Sequence, residues 1–93
     1  MNLIEHFVGG KKFSGNSKRL GKVFNPATGE QTSEVKLASK IDLNKTAEIA
    51  LAAFENWSNK PPLQRARVLF KFKELIEKNS DELTKLIVSE HGK

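Results

Sequence analysis

The organisation of this chain turns on Ser39. Beyond it, apolar residues recur at spacings of three and four, broken once, at Pro61-Pro62. Before it, short apolar runs alternate with clusters of turn-forming residues. Spacings of three and four place side chains on one face of a helix, whereas brief runs bounded by Gly, Asn and Pro suit strands. The expected class is therefore α+β: residues 1–38 as two β-hairpins and residues 39–93 as three α-helices. No internal repeat is visible, and no linker divides the chain into two domains.

In the strand half, Ile4 to Val8 is a β-tolerant run, Gly9-Gly10 marks a turn, and Lys11-Lys12-Phe13 returns along it. Ser14 to Gly21 is polar and reads as a loop. Lys22-Val23-Phe24 begins a second hairpin through Asn25-Pro26-Ala27-Thr28-Gly29. Asn can cap such a turn, Pro presets φ and Gly accepts positive φ. Gln31 to Leu37 then pairs back onto Val23 and Phe24.

In the helical half, Ser39 and Asp42 form a capping-box pattern, and an acidic first turn suits the helix dipole. Leu43, Ala47, Ala50, Leu51 and Phe54 share one face, which Trp57 extends. Pro61-Pro62 ends this helix and opens the next, since Pro fits a first helical turn. In the second helix Val68, Leu69, Phe72, Leu75 and Ile76 make the stripe expected to be buried. Arg65, Lys71, Glu74 and Lys78 are expected to face solvent or pair along the helix. Asn79 or Ser80 caps a third helix, with Asp81 and Glu82 in its first turn and Leu83, Leu86 and Ile87 on its apolar side. Gly92 stands where a left-handed C-cap belongs.

The 93 residues include no cysteine, which excludes disulfides, thiolate nucleophiles and Cys-based zinc sites in this sequence. There is no bilayer-length apolar run and no signal-peptide pattern in Met1 to Val8. The formal charge is +5, with seven Lys or Arg against three Glu through Lys40, and nine against eight acids beyond it. The excess lies in Lys11, Lys12, Lys18, Arg19 and Lys22. Nucleic-acid binding would want stacking aromatics or a reading helix among them, and only Phe13 is there. A solvated hairpin edge, where Lys discourages further strand pairing, is the better reading.

The chemistry-bearing residues are sparse. His6 and His91, the two histidines, sit at opposite ends without metal-ligand spacing. Gly9-Gly10-Lys11-Lys12 lacks the longer glycine-spaced loop and the Ser or Thr of a phosphate cradle. Asp81-Glu82 and Glu74 with Glu77 are surface acids rather than a buried catalytic pair. Arg65 and Arg67 carry guanidinium forks suited to a carboxylate or phosphate, against the plainer role of an ion pair or a cover for apolar surface. Phe54, Trp57, Phe70 and Phe72 read as packing residues. No catalytic, cofactor-binding or metal residue is assigned.

Several stretches nevertheless share wording with a known family. His6-Phe7-Val8-Gly9-Gly10-Lys11, Phe24-Asn25-Pro26-Ala27-Thr28-Gly29-Glu30, Ala52-Ala53-Phe54-Glu55-Asn56-Trp57, the run Pro61 to Glu77, and Ser89-Glu90-His91-Gly92-Lys93 together resemble the amino-terminal region of aldehyde dehydrogenases. The branch they are similar to is the CoA-acylating methylmalonate-semialdehyde dehydrogenases, and the likeness runs from about His6 to Lys93. Two departures are a variable stretch from Asn16 to Gly21, and Lys45-Thr46 where relatives have a small apolar pair.

This resemblance implies the opening part of an α/β fold, packed on the outside of an NAD-binding domain. It implies a parent enzyme in which a cysteine captures the aldehyde, NAD accepts hydride and CoA takes the acyl group, in valine and inositol breakdown. Those reactive and nucleotide-contacting residues have no counterpart here, so the expectation is an opening fragment that binds no cofactor and is inactive alone. Its expected partners are the remainder of the dehydrogenase or a second copy through apolar helix faces, with no nucleic acid and no membrane. Its expected location is the cytoplasm, or the mitochondrial matrix in a eukaryote. Some relatives bind a monovalent cation through carbonyls equivalent to Val23 and Phe24; no such site is assigned here. The alternative reading is a free-standing small interaction module descended from the enzyme.

Overall fold

The computed structural model describes residues 2–92; Met1 and Lys93, the last residue of the final shared motif, lie outside them. Five short strands precede three helices: β1 (Asn2–Ile4), β2 (His6–Val8), β3 (Lys11–Phe13), β4 (Leu20–Phe24), β5 (Gln31–Lys36), α1 (Lys40–Asn59), α2 (Pro62–Lys78) and α3 (Ser80–His91). Strands first and helices second is the order that periodicity predicted. The two-hairpin plan is incomplete, because the run from Ile4 to Val8 is not one strand. It breaks at Glu5, whose carboxylate accepts a hydrogen bond from the Ser14 hydroxyl. Residues before the break join one sheet and residues after it join another.

The two-stranded sheet is β2 against β3, antiparallel, with His6 opposite Phe13 and Val8 opposite Lys11. Gly9 and Gly10 turn it with φ of 64° and 80°, which a side chain would oppose. The three-stranded sheet has the order β1-β5-β4. β4 and β5 are antiparallel with a register shift at Val23/Phe24, and β1 lies parallel to β5, Asn2 opposite Ser33. That parallel partner lies 31 residues further along the sequence and left no local signal. The loop ends two residues earlier than expected, at Arg19, and β4 begins at Leu20. The turn between β4 and β5 has the anticipated chemistry: Asn25 Oδ1 accepts from the Ala27 amide at 2.9 Å, and the Asn25 carbonyl accepts from Gly29 at 2.8 Å.

The helices begin and end as their caps dictate. Ser39 and Asp42 complete a capping box at α1, and Pro62 opens α2. Asn79 precedes α3, but its side chain does not cap it; Nδ2 instead donates to the Leu75 carbonyl at 2.7 Å and closes α2. Gly92 ends α3 in the left-handed region, its amide donating to Val88 at 2.9 Å.

The expected burial is where structure and sequence part. No hydrophobic residue is fully buried among the described residues. In the stripe of α2 expected to be covered, Val68, Leu69, Phe72, Leu75 and Ile76 are all exposed, Leu69 by 60% and Phe72 by 59%. The α1 face carrying Leu43, Leu51 and Phe54 is exposed as well. On α1 the side turned toward the strands holds Asp42, Thr46 and Ile49 instead, and on α2 Arg65 and Ala66 are the half-buried pair. Arg65 was expected to face solvent, pair along the helix or cover apolar surface, and it is half-buried. The radius of gyration is 16.9 Å within a plate of 48 × 35 × 16 Å. A compact domain of this length would have about 12 Å. The amphipathic pattern is real, but nothing among these residues covers it.

Candidate functional site

The most ordered polar cluster surrounds Asp42, the one described polar residue that is fully buried, at 3% exposure. Its position follows from the capping box. The Asp42 amide donates to Ser39 Oγ at 3.1 Å, and Asp42 Oδ2 accepts from the Ser39 amide at 2.9 Å. The second oxygen has a distant partner: Oδ1 accepts from the Asn16 amide at 2.6 Å. Gly15, at φ 75°, lies against the same carboxylate; a Cβ built there would stand 2.7 Å from Oδ2. Backbone amides converging on an anion form a nest, and only glycine allows so close an approach.

The Ser39 amide, more than any other contact, holds the Asp42 carboxyl below its ordinary value. Burial opposes this, while the Asn16 amide, the Ser39 hydroxyl and the Ser17 amide reinforce it. Hydrogen bonds to the ionised form favour that form. The result is a carboxylate held in its charged form by backbone amides on both oxygens. A general base near neutrality needs a raised value, and the Asp42 value is lowered.

A cleft of about 370 Å³ lies between the three-stranded sheet and α3, with Val23, Asn25, Thr32 and Ser33 on one side and Ser89 and Glu90 on the other. Among the described residues Glu90 is its single titratable lining residue, so they offer no acid–base pair there. The Val23 carbonyl accepts from Thr32 Oγ1 at 3.4 Å. Among the described residues no three His, Asp or Glu side chains gather as a metal site.

The remaining sequence candidates do not converge. His6 packs beside Phe13, ring centroids 6.2 Å apart, and its Nε2 is buried without a partner among the described residues. His91 closes the last turn of α3 and is exposed. Arg65 makes no ion pair; its Nε is buried and unpartnered among the described residues. Lys71–Glu74 and Lys73–Glu77 pair at 3.5 and 3.3 Å along the exposed side of α2. Lys11, Lys12, Lys18, Arg19 and Lys22 are exposed, and Arg19 spends its Nη2 on the Ala38 carbonyl at 2.8 Å. Lys45, half of the pair that departs from family wording, lies 5.6 Å over the Phe13 ring, and Thr46 Oγ1 donates to the Asp42 carbonyl at 2.8 Å. Sequence reasoning missed the tie from Asp42 to Asn16: residues 14–21 read as an unanchored loop, and a bond across 26 positions leaves no periodic trace.

Comparison with known proteins supplies what the site lacks. A malonate-semialdehyde dehydrogenase of Pseudomonas aeruginosa is 44% identical over 93 residues, which is all of this chain and 18% of that protein. A malonate-semialdehyde dehydrogenase of Bacillus cereus is 38% identical over 91 residues, 98% of this chain and 19% of that protein. Among solved structures, a Sinorhizobium meliloti 1021 protein assigned as a methylmalonate-semialdehyde dehydrogenase, complexed with NAD, superposes with a TM-score of 0.95 at 43% identity. A methylmalonate-semialdehyde dehydrogenase from Oceanimonas doudoroffii gives 0.82 at 45%. Each superposition covers 98% of this chain and 18% of the other. The chain thus spans about a fifth of the length of its relatives and is similar to their amino-terminal segment. Residues 13–93 match the description "Aldehyde dehydrogenase family". With strands, turn and caps in the places that match and superposition requires, the chain belongs to the aldehyde dehydrogenase family.

Proposed function

We propose that this chain is the amino-terminal segment of an NAD-dependent, CoA-acylating methylmalonate- or malonate-semialdehyde dehydrogenase acting in the cytoplasm, in valine and inositol breakdown. Its own task is structural. It forms an outer layer of the nucleotide-binding domain and does not catalyse alone, because the sequence holds no cysteine to capture an aldehyde. NAD and CoA would be held by the remainder of the enzyme. No residue here is assigned to either.

The observation that carries this reading is the exposure of the helix faces. Leu51, Phe54, Leu69 and Phe72 are each about 60% exposed or more, although their spacing is that of buried helices. Covering one such side chain contributes about 1.5–3 kcal/mol. A layer of this kind is stabilised by what it lies on, and relatives five times longer supply that surface.

The test joins this chain to the remainder of the Pseudomonas aeruginosa relative, in place of that protein's own matching segment. The chimera is expected to reduce NAD with malonate semialdehyde in a CoA-dependent manner, and the chain alone is expected to reduce none. Turnover by the chain alone, or a folded chimera that leaves NAD oxidised, would refute the reading. Tight self-association of the chain in place of docking would favour a free-standing interaction module.

A further inference from the structure

We infer that Asp42 is a clasp that fixes the loop between β3 and β4 to the first turn of α1 and so ties the strand layer to the helix layer. This goes beyond the dehydrogenase reading and does not rest on it, because every group involved lies between Gly15 and Thr46.

A capping box needs one carboxylate oxygen, and Ser39 takes it. The other oxygen reaches 26 residues back along the chain to the Asn16 amide. Around this bond the loop is fastened on its far side too. Arg19 Nη2 donates to the Ala38 carbonyl at 2.8 Å, the Arg19 amide donates to Ser17 Oγ at 3.1 Å, and Lys36 Nζ donates to the Ser17 carbonyl at 3.4 Å. Residues 15–19 therefore bracket the junction of β5 with α1. Elsewhere the layers touch lightly: a Cβ at Gly9 would meet Ile49 at 3.5 Å, and Lys45 covers Phe13. In a chain without a buried apolar core, directional bonds to a buried charge fix the geometry that packing fixes elsewhere.

Two glycines make the inference testable. Gly15 and Gly10 share a left-handed φ, 75° and 80°, so alanine is strained at both. Only at Gly15 does the new methyl group strike the Asp42 carboxylate; at Gly10 nothing lies within 4 Å. The experiment is amide hydrogen exchange by NMR on the whole 93-residue chain at neutral pH, reading Asn16, Ser17 and Ser39. Gly15→Ala and Asp42→Asn are each expected to speed exchange at Asn16 by about tenfold or more, while Gly10→Ala changes it less than about twofold, since local opening is set by local bonds. Equal acceleration by both alanines would overturn the clasp. So would an Asn16 amide that exchanges freely in the unaltered chain, because the clasp needs no residue outside it.

Discussion

The loop around Asp42 and the outer faces of α1 and α2 are opposites in how they satisfy themselves. Around Asp42 every strong group meets a partner inside the chain: a carboxylate, three backbone amides, a hydroxyl and a glycine shaped to the approach. On the helices the apolar stripes meet nothing, and Arg65 keeps a buried Nε without a partner among the described residues. Polar bonds are short-ranged and directional, so a few neighbouring residues can complete them. Apolar stripes need a second surface of comparable area, and a plate 16 Å thick does not provide one.

The contrast is broken most forcefully at a helix face. Phe72→Ala is expected to change the thermal midpoint of the isolated chain very little. In the chimera with the remainder of the Pseudomonas aeruginosa relative the same change should cost about 3–5 kcal/mol, measured by denaturant unfolding. Equal, small effects in both settings would mean that the face stays uncovered. At the polar node the effects should be intermediate and present in both settings. Gly15→Ala forces a side chain into a left-handed backbone and against a carboxylate, a cost of about 1–3 kcal/mol. Ser39→Ala removes the hydroxyl that accepts from the Asp42 amide and should cost about 1 kcal/mol of α1 stability, read by circular dichroism.

Acid sharpens the comparison without a mutation. The Asp42 carboxyl is depressed below its ordinary value of 3.8, so the stability it contributes is present above that pH and is lost as pH falls through the lower, folded value. The Asn16 and Ser39 amides should lose protection in that acid range, and Asp42→Asn should flatten the acid limb. The smallest change belongs to the outer side of α2. The Lys73–Glu77 pair is about two-thirds exposed on both partners, so Glu77→Gln should shift stability by no more than about 0.5 kcal/mol, and less in high salt.

Local signals were read well where local physics decides. Gly9-Gly10, the turn from Asn25 to Gly29, the box at Ser39 and Asp42, Pro62 and Gly92 all act over a few residues, and each stands where its chemistry placed it. Asn79 stands at the N-cap of α3, but its side chain donates back to the Leu75 carbonyl of α2 and accepts nothing from the amides of α3. The single run from Ile4 to Val8 failed, splitting at Glu5, because β1 finds its partner in β5, far along the sequence. The candidate site shows the same division. Asp42 was legible as a helix cap, but its second oxygen was not, since its partner Asn16 lies 26 residues away in the sequence.

The order of residues alone settled the succession of strands and helices, their caps and turns, the absence of a thiol, and a likeness of wording to one family of dehydrogenases. Those properties depend on neighbours within a turn or two, or on identity itself. Tertiary structure decided which faces were covered: it turned Thr46 and Ile49 of α1 toward the strands, left Leu51 and Phe54 bare, and brought Gly15 against Asp42. Periodicity marks an apolar face as fit for burial, but only a surface laid against it buries it, and that surface is a matter of long-range geometry.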